Sequence, residues 1–212
     1  MVKINRFRVQ TLGRVFGTRA FVAAIDDAIP LAQERAQDAL RLWAEENGIE
    51  FAEYDSERRM LEEWYGWWAP RLASYSALIS VHSLVEAELF ACADRADVPQ
   101  TVVKGKRRGL GRAASRLRRV TGVDVAADDD WPHLLRLEEL RHIIVHRGGS
   151  VERSDEDRNT VTRLQRHYKG QLWIAKRTEL HDAHIHVAPN LCNRFATIAE
   201  EMFRRLMLRL DL

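Results

Sequence analysis

Cysteine is nearly missing. Cys92 and Cys192 are the only two in 212 residues, too few for a disulfide framework and not arranged as a CxxC metal motif. So sparse a pair suits a reducing compartment and reads as two small buried hydrophobes. Long apolar runs are also lacking, and none approaches the roughly 18 residues needed to span a bilayer. The basic opening MVKINRFRVQTLGRVFG has no uninterrupted apolar core of the kind a secretory signal carries. The expectation is therefore a cytoplasmic protein without a membrane partner. No internal repeat and no low-complexity segment is present, which excludes solenoids. An excess of one charge is missing too: the net charge is +2, and its sign names no partner. What is there, 46% apolar and 30% charged residues, is ordinary for a globular chain. The length supports one well-cored domain, or one domain with an appended helical arm.

Residues 20–47 are rich in Ala, Leu, Glu, Gln and Arg and predict a helix, bent at Pro30 and stopped by Asn47-Gly48. Residues 52–68 continue in the same style, so the two form a long amphipathic hairpin or arm. It ends in EEWYGWWAP, where Trp64, Trp67 and Trp68 crowd together. Such aromatics stack on bases in some nucleic-acid binders, but a packed junction between helices accounts for them better. Pro70 marks a boundary, giving an N-terminal helical extension over 1–69 and a main domain over 70–212.

The main domain opens with the strongest helical pattern in the chain, over 71–93. Leu78, Val81, Val85 and Leu89 make one stripe; Tyr75, Ile79, His82 and Glu86 make another beside it. A helix apolar over so wide an arc is central, so Glu86 is expected to be largely buried. It then needs a cationic or hydrogen-bonding partner, either His82 one turn earlier or Arg141 or His142 from a neighbouring helix. A solvated helix acid is the alternative. Residues 100–119 carry eight Lys or Arg and no acid, the first half a glycine-rich loop and the second half helical. Asp128, Asp129 and Asp130 then invert the charge and cap a helix running from Trp131 to His146, with Pro132 in its first turn. Leu134, Leu137, Leu140 and Ile144 form its seam, and Arg147-Gly148-Gly149 end it. Beyond a polar stretch, residues 171–176 and 184–189 alternate like the strands of a small hairpin. A last helix follows, with Phe195, Ile198, Met202, Leu206 and Leu210 at helical spacing. The fold class predicted is all-α, with four or five core helices and a small β-hairpin.

On the helix that starts at Trp131, Arg141, His142 and His146 are out of place among packing residues. His142 and His146 lie one turn apart on the same face. Arg141 and His146 are five residues apart, about 140° around an ideal helix. They act together only if the helix frays at the glycines or a second subunit completes the site. Arginine offers forked donors to phosphate oxygens and histidine exchanges a proton near neutral pH, a combination suited to a phosphodiester. An Arg and a His near a helix C-terminus are also ordinary dipole partners. The sequence HxxHxH at His181, His184 and His186 invites a metal reading. On a strand, however, His184 and His186 share a face that His181 does not, and no acid beyond Asp182 completes a tetrahedral set. Neither metal nor other cofactor is expected.

RHIIVH at 141–146 resembles the R-x(4-6)-H signature of the HEPN superfamily, with His142 in the slot after the arginine where Asn is commoner. The DDDW upstream, the LEELRHIIVHRGG around the motif and the hairpin and long helix downstream agree. SYSALISVHSLVEAEL is similar to the early HEPN helix, which puts Glu86 in the family's acidic position. The resemblance covers about residues 70–212 and implies a HEPN-like bundle that dimerises with motif helices facing across a cleft. It also implies an RNA endonuclease used as a toxin or in antiviral defence, partnered by a cognate antitoxin or another defence protein. In such enzymes the 2′-oxygen attacks the adjacent phosphorus to leave a cyclic phosphate. Here Arg141 and His146 would be the catalytic pair, with His142 orienting and Glu86 supporting. Lys104, Lys106, Arg107, Arg108, Arg112 and Arg147 would steer RNA phosphates toward the cleft, or form only a solvated loop and helix face. The other readings are a catalytically silent HEPN module binding RNA, nucleotide or a partner protein, and a purely structural scaffold with no motif residue facing a cleft.

Overall fold

The computed structural model describes residues 6–96, 109–152, 154–175 and 183–210. Seven α-helices and one two-stranded antiparallel hairpin make up this part of the chain, so the fold is all-α with a small β-hairpin. Helix α1 spans Arg6–Asn47, α2 Phe51–Glu63 and α3 Ala69–Ala96. Helices α4 (Leu110–Thr121), α5 (Trp131–Arg147) and α6 (Asp155–His167) follow. Strands β1 (Leu172–Ile174) and β2 (Ile185–Val187) then precede α7, Pro189–Arg209.

The first helix begins fourteen residues before the predicted start. Thr11, Val15 and Val22 share a face and are buried, but Gly13 and Gly17 dilute the pattern, each costing about 1 kcal/mol in a helix interior. Tertiary packing offsets that cost. Glu88 of α3, 4% exposed, accepts hydrogen bonds from the Thr11 hydroxyl at 2.8 Å and from both Nε and Nη2 of Arg14. Arg19 pairs with the buried Glu200 of α7 at 2.8 Å. The first half of α1 therefore packs in the bundle with α3 and α7. Beyond Val22, neither α1 nor α2 has a buried residue among those described; this portion is the arm. The helix continues through Pro30 and stops at Gly48, which adopts φ +63°.

Pro70 does not divide the chain. A single helical rod runs from Phe51 to Ala96, passing through a π-helical turn at Trp64–Trp68. The Ala69 N–H reaches back five residues to the Trp64 carbonyl, and this wider turn makes room for the proline ring and for its missing donor. An 18-residue window of this rod is, by length and composition, apolar enough to cross a bilayer, contrary to the sequence expectation; half of that window is buried within the bundle. Leu78, Val81, Val85 and Leu89 are fully buried, each side chain contributing about 2 kcal/mol by leaving water.

Helix α5 starts at Trp131 as predicted and runs one residue beyond His146, to Arg147. Leu134, Leu137, Leu140 and Ile144 are buried, and Gly148 (φ +61°) and Gly149 (φ +80°) close it, the Gly149 N–H donating to the Ile143 carbonyl. At its start, Arg205 of α7 holds Asp128 through Nε (3.0 Å) and Nη2 (2.7 Å) and Asp130 at 2.5 Å. Helix α6 occupies the stretch read as merely polar. Ser154 caps it by accepting from the Asp157 N–H, and only Val161 and Leu164 of its residues are buried. In the hairpin, Trp173 faces His186 across the strands, while Leu172, Ile185 and Val187 turn to the core. Residues 149–151 run beside β2: the Ile185 N–H donates to the Gly149 carbonyl and the Val151 N–H to the Ala183 carbonyl. The end of α5 is thereby sewn to the hairpin.

Candidate active site

A cleft of about 1080 Å³ opens beside α5. The outward face of α5 is its floor, contributing Leu135, Glu138, Glu139, Arg141, His142, His146 and Arg147. His82 and Glu86 of α3, with Gly109, form one wall; Ser154 and the α6 residues Glu156, Asp157, Thr160 and Arg163 form the other. Arg141, His142, His146, Arg147 and Glu86, five of the residues singled out in the sequence, therefore line one space.

The helix does not fray: α5 is regular to Arg147. The cleft itself spans enough of the helix surface to take in both Arg141 and His146. The rings of His142 and His146 touch, centroids 4.5 Å apart and tilted by 51°, and both are exposed. Arg141 is half-buried, and its Nε has no hydrogen-bond partner among the described residues. Arg147 and Asp157 are 3.4 Å apart, and Arg163 holds Glu139 at 2.9 Å.

Glu86 departs from expectation. It is half-buried, and its described hydrogen bond is from the Gly109 N–H at 2.9 Å, not from Arg141 or His142. The buried acid of α3 is Glu88, on the side facing α1. His82 does not partner Glu86 either. It is 1% exposed, with Nε2 3.7 Å from Oε1 of Glu138, an electrostatic contact too long for a hydrogen bond. The same Glu138 oxygen accepts the Leu110 N–H at 3.0 Å. The Glu138 carboxyl is held below its ordinary pKa by His82 beside it, then by the Leu110 N–H and Arg141, against the opposing effect of burial. Glu86 and Glu138 thus satisfy the first free N–H groups of α4.

Among the proposed phosphate-steering residues, Lys104, Lys106, Arg107 and Arg108 lie outside the described residues, as does His181. Arg112 does not line the cleft; it shares a shallow recess on α4 with Ser115, Arg116 and Arg119. Sequence reasoning missed Glu138, Arg163 and Asp157 as site residues. The last two belong to α6, whose start is signalled by Ser154 followed three residues later by an acid.

Chemically, the cleft combines an arginine with uncommitted donor capacity and two touching imidazoles on an open face. That equipment can grip a phosphate and exchange a proton beside it. No protein-family model, curated protein or solved structure matches the chain.

Proposed function

We propose that this chain is a metal-independent RNA endonuclease of the HEPN type, acting as a toxin or antiviral effector. The observation that carries the reading is the shared cleft: Arg141, His142 and His146 all line it, with the two imidazoles in contact. In the proposed reaction His146 removes the ribose 2′-hydroxyl proton as the 2′-oxygen bonds to phosphorus. The bond from phosphorus to the 5′-oxygen breaks, and the leaving oxygen takes up a proton. The products are a 2′,3′-cyclic phosphate and a 5′-hydroxyl. Arg141 offsets the charge that develops on the phosphate oxygens, and His142 orients His146. A second subunit, related by a two-fold axis, would bring another Arg141 and His146 to the same phosphate.

The carboxylates of Glu86, Glu138, Glu139, Glu156 and Asp157 on the same walls favour a second reading, a silent HEPN module whose cleft receives a partner protein. One experiment separates the two. Purified protein is incubated with total RNA in EDTA, and the fragment ends are mapped. The endonuclease reading expects cyclic-phosphate ends that disappear in His146→Ala and in Arg141→Ala, with rate losses of at least about a hundredfold. Wild-type cleavage by a folded His146→Ala protein sinks it, and absence of cleavage by the wild type leaves the binding module.

A further inference from the structure

Away from the cleft, on the hairpin side of the bundle, Arg71 is 4% exposed yet has no acidic partner among the described residues. Its Nε and Nη1 lack any hydrogen bond among the described residues. The guanidinium lies 4.1 Å from the centre of the Trp68 ring and 5.9 Å from that of Trp67. Tyr75, one turn further on, has its hydroxyl committed to the Ile185 carbonyl at 2.6 Å. A buried, permanently charged guanidinium without a counter-charge is among the least stable arrangements a core tolerates. Contact with indole faces replaces only part of what water or an anion provides.

The surroundings add imidazole and indole rings. His186, half-buried, packs against Trp67 (centroids 4.4 Å) and stacks on Trp173 (5.4 Å, 23° between planes). Its Nε2 is buried and has no hydrogen-bond partner among the described residues. Burial, then Arg71, then His184 hold the His186 pKa below its ordinary value. Arg71 and His184 therefore each lie within electrostatic reach of His186, and Trp173 keeps 43% of its surface in solvent.

We propose that this cluster is a nucleotide-binding site, separate from the cleft, in which a phosphate meets Arg71 and His186 and a base stacks on Trp173. The ligand class follows from the chemistry. An anion answers the unpaired guanidinium, and an aromatic ring attached to that anion answers the exposed indole. Trp67 and Trp68 sit in the π-helical turn, a backbone form found frequently at functional sites. The nucleotide is either free or one residue of an RNA strand. The site stands whether or not the cleft cleaves RNA, and it rests on none of the motif residues.

The test titrates the full chain with AMP, adenosine, inorganic phosphate and a 2′-O-methyl RNA pentanucleotide that cannot be cleaved. Binding is followed by tryptophan fluorescence and calorimetry. AMP or the pentanucleotide is expected to bind and change the tryptophan emission, with adenosine and phosphate alone each weaker by about tenfold or more. Comparable binding of AMP assigns a free nucleotide; binding of the pentanucleotide alone, weakened in Trp173→Ala, assigns a strand. Arg71→Met and Trp173→Ala should each weaken binding by about tenfold or more, from the lost charge-assisted contact and the lost stacking respectively. His146→Ala should bind as the wild type does. Should Arg71→Met fail to fold, Trp173→Ala, at an exposed ring, decides alone. The proposal is overturned if neither AMP nor the pentanucleotide binds, if Trp173→Ala binds undiminished, or if His146→Ala abolishes binding. Binding without cleavage removes only the endonuclease reading.

Discussion

Gly149 shows how much one missing methyl group can decide. Its φ of +80° is strained for any L side chain, and a Cβ built there would lie 1.9 Å from the Tyr75 hydroxyl oxygen. That hydroxyl reaches the Ile185 carbonyl, whose own N–H donates to the Gly149 carbonyl at 2.9 Å. Gly149→Ala must therefore displace Tyr75, lose its buried hydrogen bond and hold alanine in the left-handed region. The expected loss is about 2–4 kcal/mol of stability, read as a lower urea midpoint; an unchanged midpoint would show that the backbone relaxes freely here. The sequence announces Gly148-Gly149 as a helix stop, but not the tyrosine against it, because that contact joins residues 74 positions apart. The same limit explains Glu86 and Glu88. Both acids were visible on α3, but Glu88 turns toward a part of α1 that the glycines had hidden. The carboxylate that needed a buried partner was therefore misassigned.

Among the elements, α4 is the one fastened most plainly by side chains of others. Its first N–H groups end on Glu86 and Glu138, and Gly109 (φ +115°) lets the backbone come so close that a Cβ would meet Oε1 of Glu138 at 2.3 Å. Glu138→Ala leaves the Leu110 N–H unpaired and His82 without its acid; about 1–3 kcal/mol should be lost. Glu138→Gln, which keeps an acceptor, should lose less. The specific readout is hydrogen exchange at the Leu110 amide, faster in Glu138→Ala than in Glu138→Gln; equal rates in both variants and the wild type would refute the fastening. Helices α5 and α7 were legible almost to the residue, since their apolar seams repeat cleanly and glycine or proline punctuates them. Helix α6 was not, because two buried residues in thirteen leave periodicity little to register and only the Ser154 cap marks it. The motif on α5 was visible as an anomaly of composition, whereas the second cleft wall had to await the placement of α6.

For the molecule as a whole, the clamp of Arg205 on Asp128 and Asp130 links α7 to the start of the motif helix and gives the fold an acid limit. The Arg205 hydrogen bonds lower the Asp128 pKa, against burial, with the Asp130 N–H and the nearby arginines assisting; Arg205 is raised in turn by the same pairing. A depressed carboxyl stabilises the fold fully above its unfolded value near 3.9, and that contribution fades as pH falls through the lower folded value. Urea midpoints should therefore fall below about pH 4, and Asp128→Asn should make the decline shallower while lowering stability at neutral pH. Identical pH slopes for variant and wild type would remove Asp128 from the account.

The pairing of α1 with α7 also fixes an order of events. Arg19 and Glu200 are joined across almost the entire chain, and Val15 and Val22 are buried where α1 meets the rest of the bundle. On a ribosome α1 must wait for the later-made α7 before Arg19 finds its partner. During that interval its apolar stripe faces water or other molecules. Closing so long a loop before any contact rewards it is slow compared with helix formation itself. The Arg14–Glu88 ion pair and the Thr11–Glu88 hydrogen bond shorten the wait, because α3 emerges early enough to hold α1 in place until α7 arrives.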